Sequence, residues 1–87
     1  MAEQFLRVEK EQVVVEVTTP NQIVVGKFTK DKGIRLIDYF NRIDNQQGFI
    51  VLSEVEILDY STRKQIAKKI FLAINVEYIV TFTQLEE

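Results

Sequence analysis

The sequence predicts a mainly β protein: a small five-stranded antiparallel barrel with one short helix inserted near residues 34–43. Two patterns carry this expectation. β-Branched and aromatic residues alternate with polar ones in runs of strand length, with turn-forming residues between the runs. A stripe with helical period occurs between Gly33 and Asp44. At 87 residues the chain fits one domain, residues 1–87, with a core at about 12–84 and an N-terminal arm at 1–11. Hydrophobic residues at 46% and charged residues at 28% place it among folding chains rather than disordered ones.

Val13, Val15 and Val17 share one face of the first strand, while Glu16 and Thr18 take the other. Thr19-Pro20-Asn21 follows as a turn, because proline presets φ and asparagine tolerates left-handed geometry. Gln22 to Phe28 resumes the β pattern, so the first two strands are expected to form a hairpin. Gly26 inside the second strand points to a bulge, a sharp bend or a close backbone approach. Lys30 to Gly33 is a polar break, after which Leu36, Ile37, Phe40 and Ile43 form one apolar helical stripe ended by Asp44 to Gly48. Arg35 with Asp38, and Asp38 with Arg42, have the spacing of helix-supporting ion pairs.

Phe49-Ile50-Val51-Leu52 is apolar at every position, as in a central strand, and Ser53 to Ile57 returns to alternation. Asp59 to Lys64 is a polar turn. The last two strands are read at Ile70–Ile74 and Tyr78–Thr83, joined through Asn75-Val76-Glu77. Five strands and a helix on the rim fit a small twisted barrel of the SH3-like, Sm-like or OB class, with a short α+β sandwich as the alternative.

Charge is arranged in blocks. Residues 27–42 carry Lys27, Lys30, Lys32, Arg35 and Arg42 against two acids; residues 43–59 carry acids and no base; then Arg63, Lys64, Lys68 and Lys69 follow with no acid between them. The net charge of -2 gives none of the overall positive field that drives nonspecific binding to nucleic acid or anionic membrane. Lys27, Lys30, Lys32, Arg35, Arg63, Lys64, Lys68 and Lys69 are nevertheless the candidate contacts for nucleic acid or a partner, if they converge.

The absence of cysteine and histidine removes disulfides, thiol nucleophiles, imidazole bases and the usual transition-metal ligands. Asp31, Asp38 and Asp44 lack the spacing of a calcium loop, and neither Gly26 nor Gly33 sits in a phosphate-binding glycine loop. Glu54 and Glu56 stand at i, i+2 on one strand face, where water keeps carboxylates at their ordinary acidity. No catalytic residue, cofactor or metal is therefore expected, and the chain is read as a non-enzyme. Its N-terminus has no charged start and apolar stretch of a leader, and no apolar run has membrane-spanning length, so a cytoplasmic protein is expected.

Three segments, Gly33-Ile34-Arg35-Leu36-Ile37-Asp38-Tyr39-Phe40-Asn41, Phe49 to Val55 and Asn75 to Ile79, resemble a family of short, functionally uncharacterised bacterial proteins with a small β-barrel. The resemblance spans about residues 12–84 and implies a fold without an activity. Gly26, Asp38 and Asn41 are loosely similar to the first motif of Sm-like RNA-binding barrels. The second motif of that family, an Arg-Gly pair, is replaced here by Ala73-Ile74-Asn75-Val76.

Val14, Val24, Ile50, Leu52, Phe71, Val80 and Phe82 form a second set of apolar positions that one strand face of a small domain does not cover. A homo-oligomer is expected to hide them. The favoured reading is a noncatalytic, self-associating interaction or scaffold module, with a protein partner as a further option. The alternative is an Sm-like small barrel that binds RNA or single-stranded nucleic acid.

Overall fold

The computed structural model describes residues 9–35, 38 and 48–85. Its strands are β1 (Lys10–Thr18), β2 (Gln22–Asp31), β3 (Phe49–Asp59), β4 (Gln65–Asn75) and β5 (Thr81–Gln84), with a 3-10 turn at Val76–Tyr78. All pair antiparallel in a single sheet of order β4-β3-β2-β1-β5. The protein is thus mainly β. Its sheet is open, with β4 and β5 as its two edges, whereas the sequence led us to expect a closed barrel. The helix expected near residues 34–43 falls, apart from Ile34, Arg35 and Asp38, outside the described residues.

The β1–β2 hairpin forms as its sequence dictates. Thr19 N donates to Gln22 O at 2.9 Å across the Pro20-Asn21 turn, and Val17 faces Val24. Val15 and Val17 are fully buried, while Lys10, Glu11 and Gln12 stand opposite Asp31, Lys30 and Thr29 toward the open end. Because β1 begins at Lys10, pairing starts inside the region read as an arm.

Gly26 lies where the β2–β3 register shifts, between Val25 and Lys27. A Cβ placed there would stand 3.1 Å from Val55 Cγ2, 3.2 Å from Leu52 Cβ and 3.2 Å from Ser53 O. Close approach of β3 therefore requires glycine at this position.

β3 alternates from its first residue: Phe49 and Val51 are exposed, and Ile50 and Leu52 are buried. It is one strand in from the β4 edge, with one apolar face open, which corrects the expectation of a strand covered on both sides. Glu54, at φ 50, then breaks the alternation, so that Val55 and Ile57 rather than Glu54 and Glu56 continue inward.

The core unites Val15 and Val17 of β1, Val24 and Phe28 of β2, Ile50, Leu52, Val55 and Ile57 of β3, and Ile74 of β4. Phe28 meets Phe82 of β5 edge-to-face, with ring centroids 5.6 Å apart, so the sheet curls enough for β2 and β5 side chains to touch across the core. Val24, Ile50 and Leu52 belong to this core and are not part of an uncovered apolar set; Phe71 and Val80 remain outside it.

The last two strands differ from expectation. β4 starts at Gln65, five residues before Ile70, and the segment read as strand from Tyr78 begins instead in the 3-10 turn. Asn75 is the cause: its Oδ1 accepts from Glu77 N at 2.9 Å, and this local bond competes with ladder pairing. β5 then resumes at Thr81, held to β1 by Val80 N donating to Thr18 O at 2.8 Å and by the Thr18 and Thr81 hydroxyls at 2.5 Å.

Candidate functional site

Strand β4 concentrates the features that a partner would recognise. It pairs with β3 on one side, and among the described residues its other side is a sheet edge. Over 11 residues it contains no proline, one of the devices by which edge strands avoid pairing with another chain. Lysines occur at Lys68 and Lys69, yet the flanking apolar side chains project into solvent: Ile66 is 58% exposed, Ile70 84% and Phe71 67%.

Register explains this exposure. Phe71 faces Ser53 and Ala73 faces Val51, while Phe49 faces Asn75, so Phe49, Val51, Phe71 and Ala73 lie together on the face away from the core. On the opposite face Leu72 and Ile74 pack inward across from Leu52 and Ile50. Ile70 sits across from Glu54, where β3 twists out of its alternation and leaves no cross-strand pair. The irregularity at Glu54 thus removes the neighbour that would have covered Ile70.

The turn feeding β4 is rigidly built. Asp59 Oδ2 accepts from Ser61 N at 3.0 Å, Thr62 N at 2.9 Å and Thr62 Oγ1 at 3.2 Å. The backbone donor of Thr62 holds the Asp59 carboxyl below its usual value. Arg63, at φ 61, donates its N–H to Asp59 O, and its guanidinium reaches Glu16 of β1 at 3.0 Å.

The eight basic candidates do not form one positive surface. Lys27 pairs with Glu54 at 3.0 Å, Lys32 with Glu9 at 3.5 Å, Arg35 with Asp38 at 3.0 Å and Arg63 with Glu16. Lys30 is buried, its Nζ donating to Glu11 Oε2 at 2.5 Å and to the Ile34 carbonyl at 2.6 Å. Lys30, Lys32 and Arg35 lie at one end of the β2–β3 ladder, and Arg63 and Lys64 at the other. Lys68 and Lys69 gather with Glu54 and Glu56 around a shallow hollow of about 240 Å³, with Lys68 directly opposite Glu56. Among the described residues, Lys64, Lys68 and Lys69 are the candidates without an ion pair.

A second hollow, of about 480 Å³, opens where the Thr19–Gln22 turn approaches Leu72, Asn75 and Tyr78. The described residues hold no group of three or more carboxylates that would bind a metal ion. No helix among them is long and apolar enough to cross a membrane. Comparison with family models, curated proteins and solved structures returns no match.

Sequence reasoning named Phe71 but missed Ile66, Phe49 and Val51 as surface residues. The signal for Ile66 was present, since Gln65-Ile66-Ala67 continues the β4 pattern backward from Ile70.

Proposed function

We propose that the protein is a noncatalytic, self-associating interaction or scaffold module, and that β4 is its contact element. The observation that carries this is the long edge strand β4, which holds Ile66, Ile70 and Phe71 in water on either side of Lys68 and Lys69. Exposed strands of this kind template pairing with another chain. The strand order and the 3-10 turn before β5 support an open variant of an SH3-like or Sm-like small barrel, in keeping with the resemblance to short bacterial barrels. Light scattering on the purified chain tests the reading: the mass should be a whole multiple of 10.2 kDa, and a strict monomer at high micromolar concentration overturns it.

Nucleic-acid binding is the second reading, favoured by one observation: Lys68 and Lys69 adjoin exposed Ile70 and Phe71 on the same strand. A stacking aromatic beside lysines suits single strands, but five of the eight bases are paired with acids, and one of these, Lys30, is also buried. Fluorescence anisotropy with oligonucleotides should therefore report weak, salt-sensitive binding. Submicromolar affinity at physiological salt, lost on charge reversal of Lys68 and Lys69, would promote this reading over self-association.

A further inference from the structure

Going beyond that reading and independently of it, we infer that the hollow of about 480 Å³ between the β1–β2 turn and the end of β4 binds a neutral sugar, as a pyranose unit of an oligosaccharide.

Two walls and a floor make the hollow. One wall is the β1–β2 turn, with Asn21 and Gln22; the other is the end of β4 and the 3-10 turn, with Asn75 and Tyr78. The floor is apolar, since Val24 and Ile74 belong to the core and Leu72 packs against it. Each wall is held in place by its own backbone bonds. Thr19 N donates to Gln22 O at 2.9 Å across the first, and in the second Val76 N donates to Gly48 O at 2.9 Å. An apolar lining with a few fixed polar groups, in a volume of about 300–1,000 Å³, is the usual make-up of a small-ligand site.

Asn75 carries the argument furthest. A backbone N–H can donate but not accept, so the Asn75 atom that meets Glu77 N at 2.9 Å is the oxygen, and the amide is fixed with its Nδ2 donors free of that bond. Among the described residues Nδ2 has no hydrogen-bond partner, and neither has the Gln22 side-chain amide or the Tyr78 hydroxyl. Both walls therefore bring unused hydrogen-bonding groups to the same hollow.

The ligand class follows from what lines the site. It contains no lysine, arginine, aspartate or glutamate, so a phosphate, a carboxylate or an ammonium group finds no counter-charge there. A wholly apolar ligand would strip water from the amides and the hydroxyl without replacing its hydrogen bonds. A pyranose answers both halves. Its C–H face packs on Tyr78, which is 63% exposed, and its hydroxyl oxygens accept from Asn75 Nδ2 and from the Gln22 amide.

Titrating the isotope-labelled chain with cellobiose, maltose and diacetylchitobiose, followed by heteronuclear NMR, tests the site. At least one of these sugars should shift the side-chain amide signals of Asn75 and Gln22 and the backbone signal of Tyr78, saturably and at millimolar concentration. Asn75→Asp keeps the oxygen that holds Glu77 N but removes the Nδ2 donors. It should weaken binding roughly two- to tenfold, the worth of one hydrogen bond, with little change in melting temperature. Tyr78→Ala, at an exposed position, should weaken it by roughly the same factor. Absence of these shifts with all three sugars would overturn the proposal, as would shifts confined to other parts of the sheet. So would sugar binding that survives both substitutions unchanged. Saturable binding of indole in place of the sugars would make this an apolar ligand site and overturn the sugar assignment. None of these outcomes depends on the mass of the chain in solution, so self-association and the sugar site stand or fall separately.

Discussion

Replacing Gly26 with alanine tests the close approach of β2 and β3 on which the core depends. The added Cβ would lie 3.1–3.2 Å from Val55 Cγ2, Leu52 Cβ and Ser53 O. Comfortable carbon–carbon separation is about 3.5–4.0 Å, so each of the two carbon contacts is short by several tenths of an ångström. None of the neighbours yields easily. Val55 and Leu52 are 1% and 0% exposed, and Ser53 O is backbone in a paired strand. Inserting a methyl group into such packing costs about 1–3 kcal/mol. Alanine recovers about 0.4–1 kcal/mol by restricting the unfolded chain. The net loss is therefore centred at about 1.3 kcal/mol, or a fall in Tm of roughly 5–10 °C for a domain of this size. Thermal unfolding followed by circular dichroism reads it. Combining Gly26→Ala with Val55→Ala should cost less than the sum of the two, because the nearest clashing atom is gone. An unchanged or higher Tm for Gly26→Ala would refute the argument that the contact is rigid.

Lys30→Met retains the stem but removes a buried ammonium that bonds Glu11 and the Ile34 carbonyl; since Glu11 is partly solvated, the loss should be about 2 kcal/mol by urea denaturation. Leu52→Ala, at a fully buried position between Phe28 and Leu72, should cost about 2–5 kcal/mol on the same measurement. The depressed carboxyl of Asp59 favours the folded state above its ordinary value of 3.8, and that contribution is lost as pH falls through the lower folded value. Asp59→Asn should therefore flatten the acid limb of a stability–pH curve, and an unaltered limb would count against the turn described here. Gly33→Ala meets no neighbour but must hold φ 88, so a loss of about 1 kcal/mol is expected, from backbone strain alone.

The first half of the fold was legible because its signals are local. Pro20-Asn21 specifies a turn, alternating valines specify a buried face, and Gly26 marks the register shift. Errors began where a side chain or a strand neighbour decided the outcome. Asn75 captures a backbone donor and turns the chain into a 3-10 segment, which periodicity alone does not show. Phe49 and Val51 read as core because four apolar residues in a row suit a strand buried on both faces; their exposure follows from the position of β3 beside an edge, which is a property of strand order. The basic candidates were read from the sequence as blocks of charge, but the acids that pair with several of them lie on distant segments. Glu16 is 47 residues from Arg63, and Glu11 is 19 from Lys30.

The attachment of β5 has a consequence for the order in which the chain folds. β1 through β4 follow one another as antiparallel neighbours, so each pairing closes a connection between successive strands. β5 instead returns to the first strand, and its Thr81 meets Thr18 from 63 residues away. Closing that long loop costs the most entropy and is rewarded by just four ladder pairs. The meander should therefore assemble first and β5 should latch last, with its amides among the earliest to exchange in deuterated solvent. During synthesis the earlier strands would be complete while the Phe28 ring still awaited Phe82, and β5, emerging after them, would seal the core at its far side.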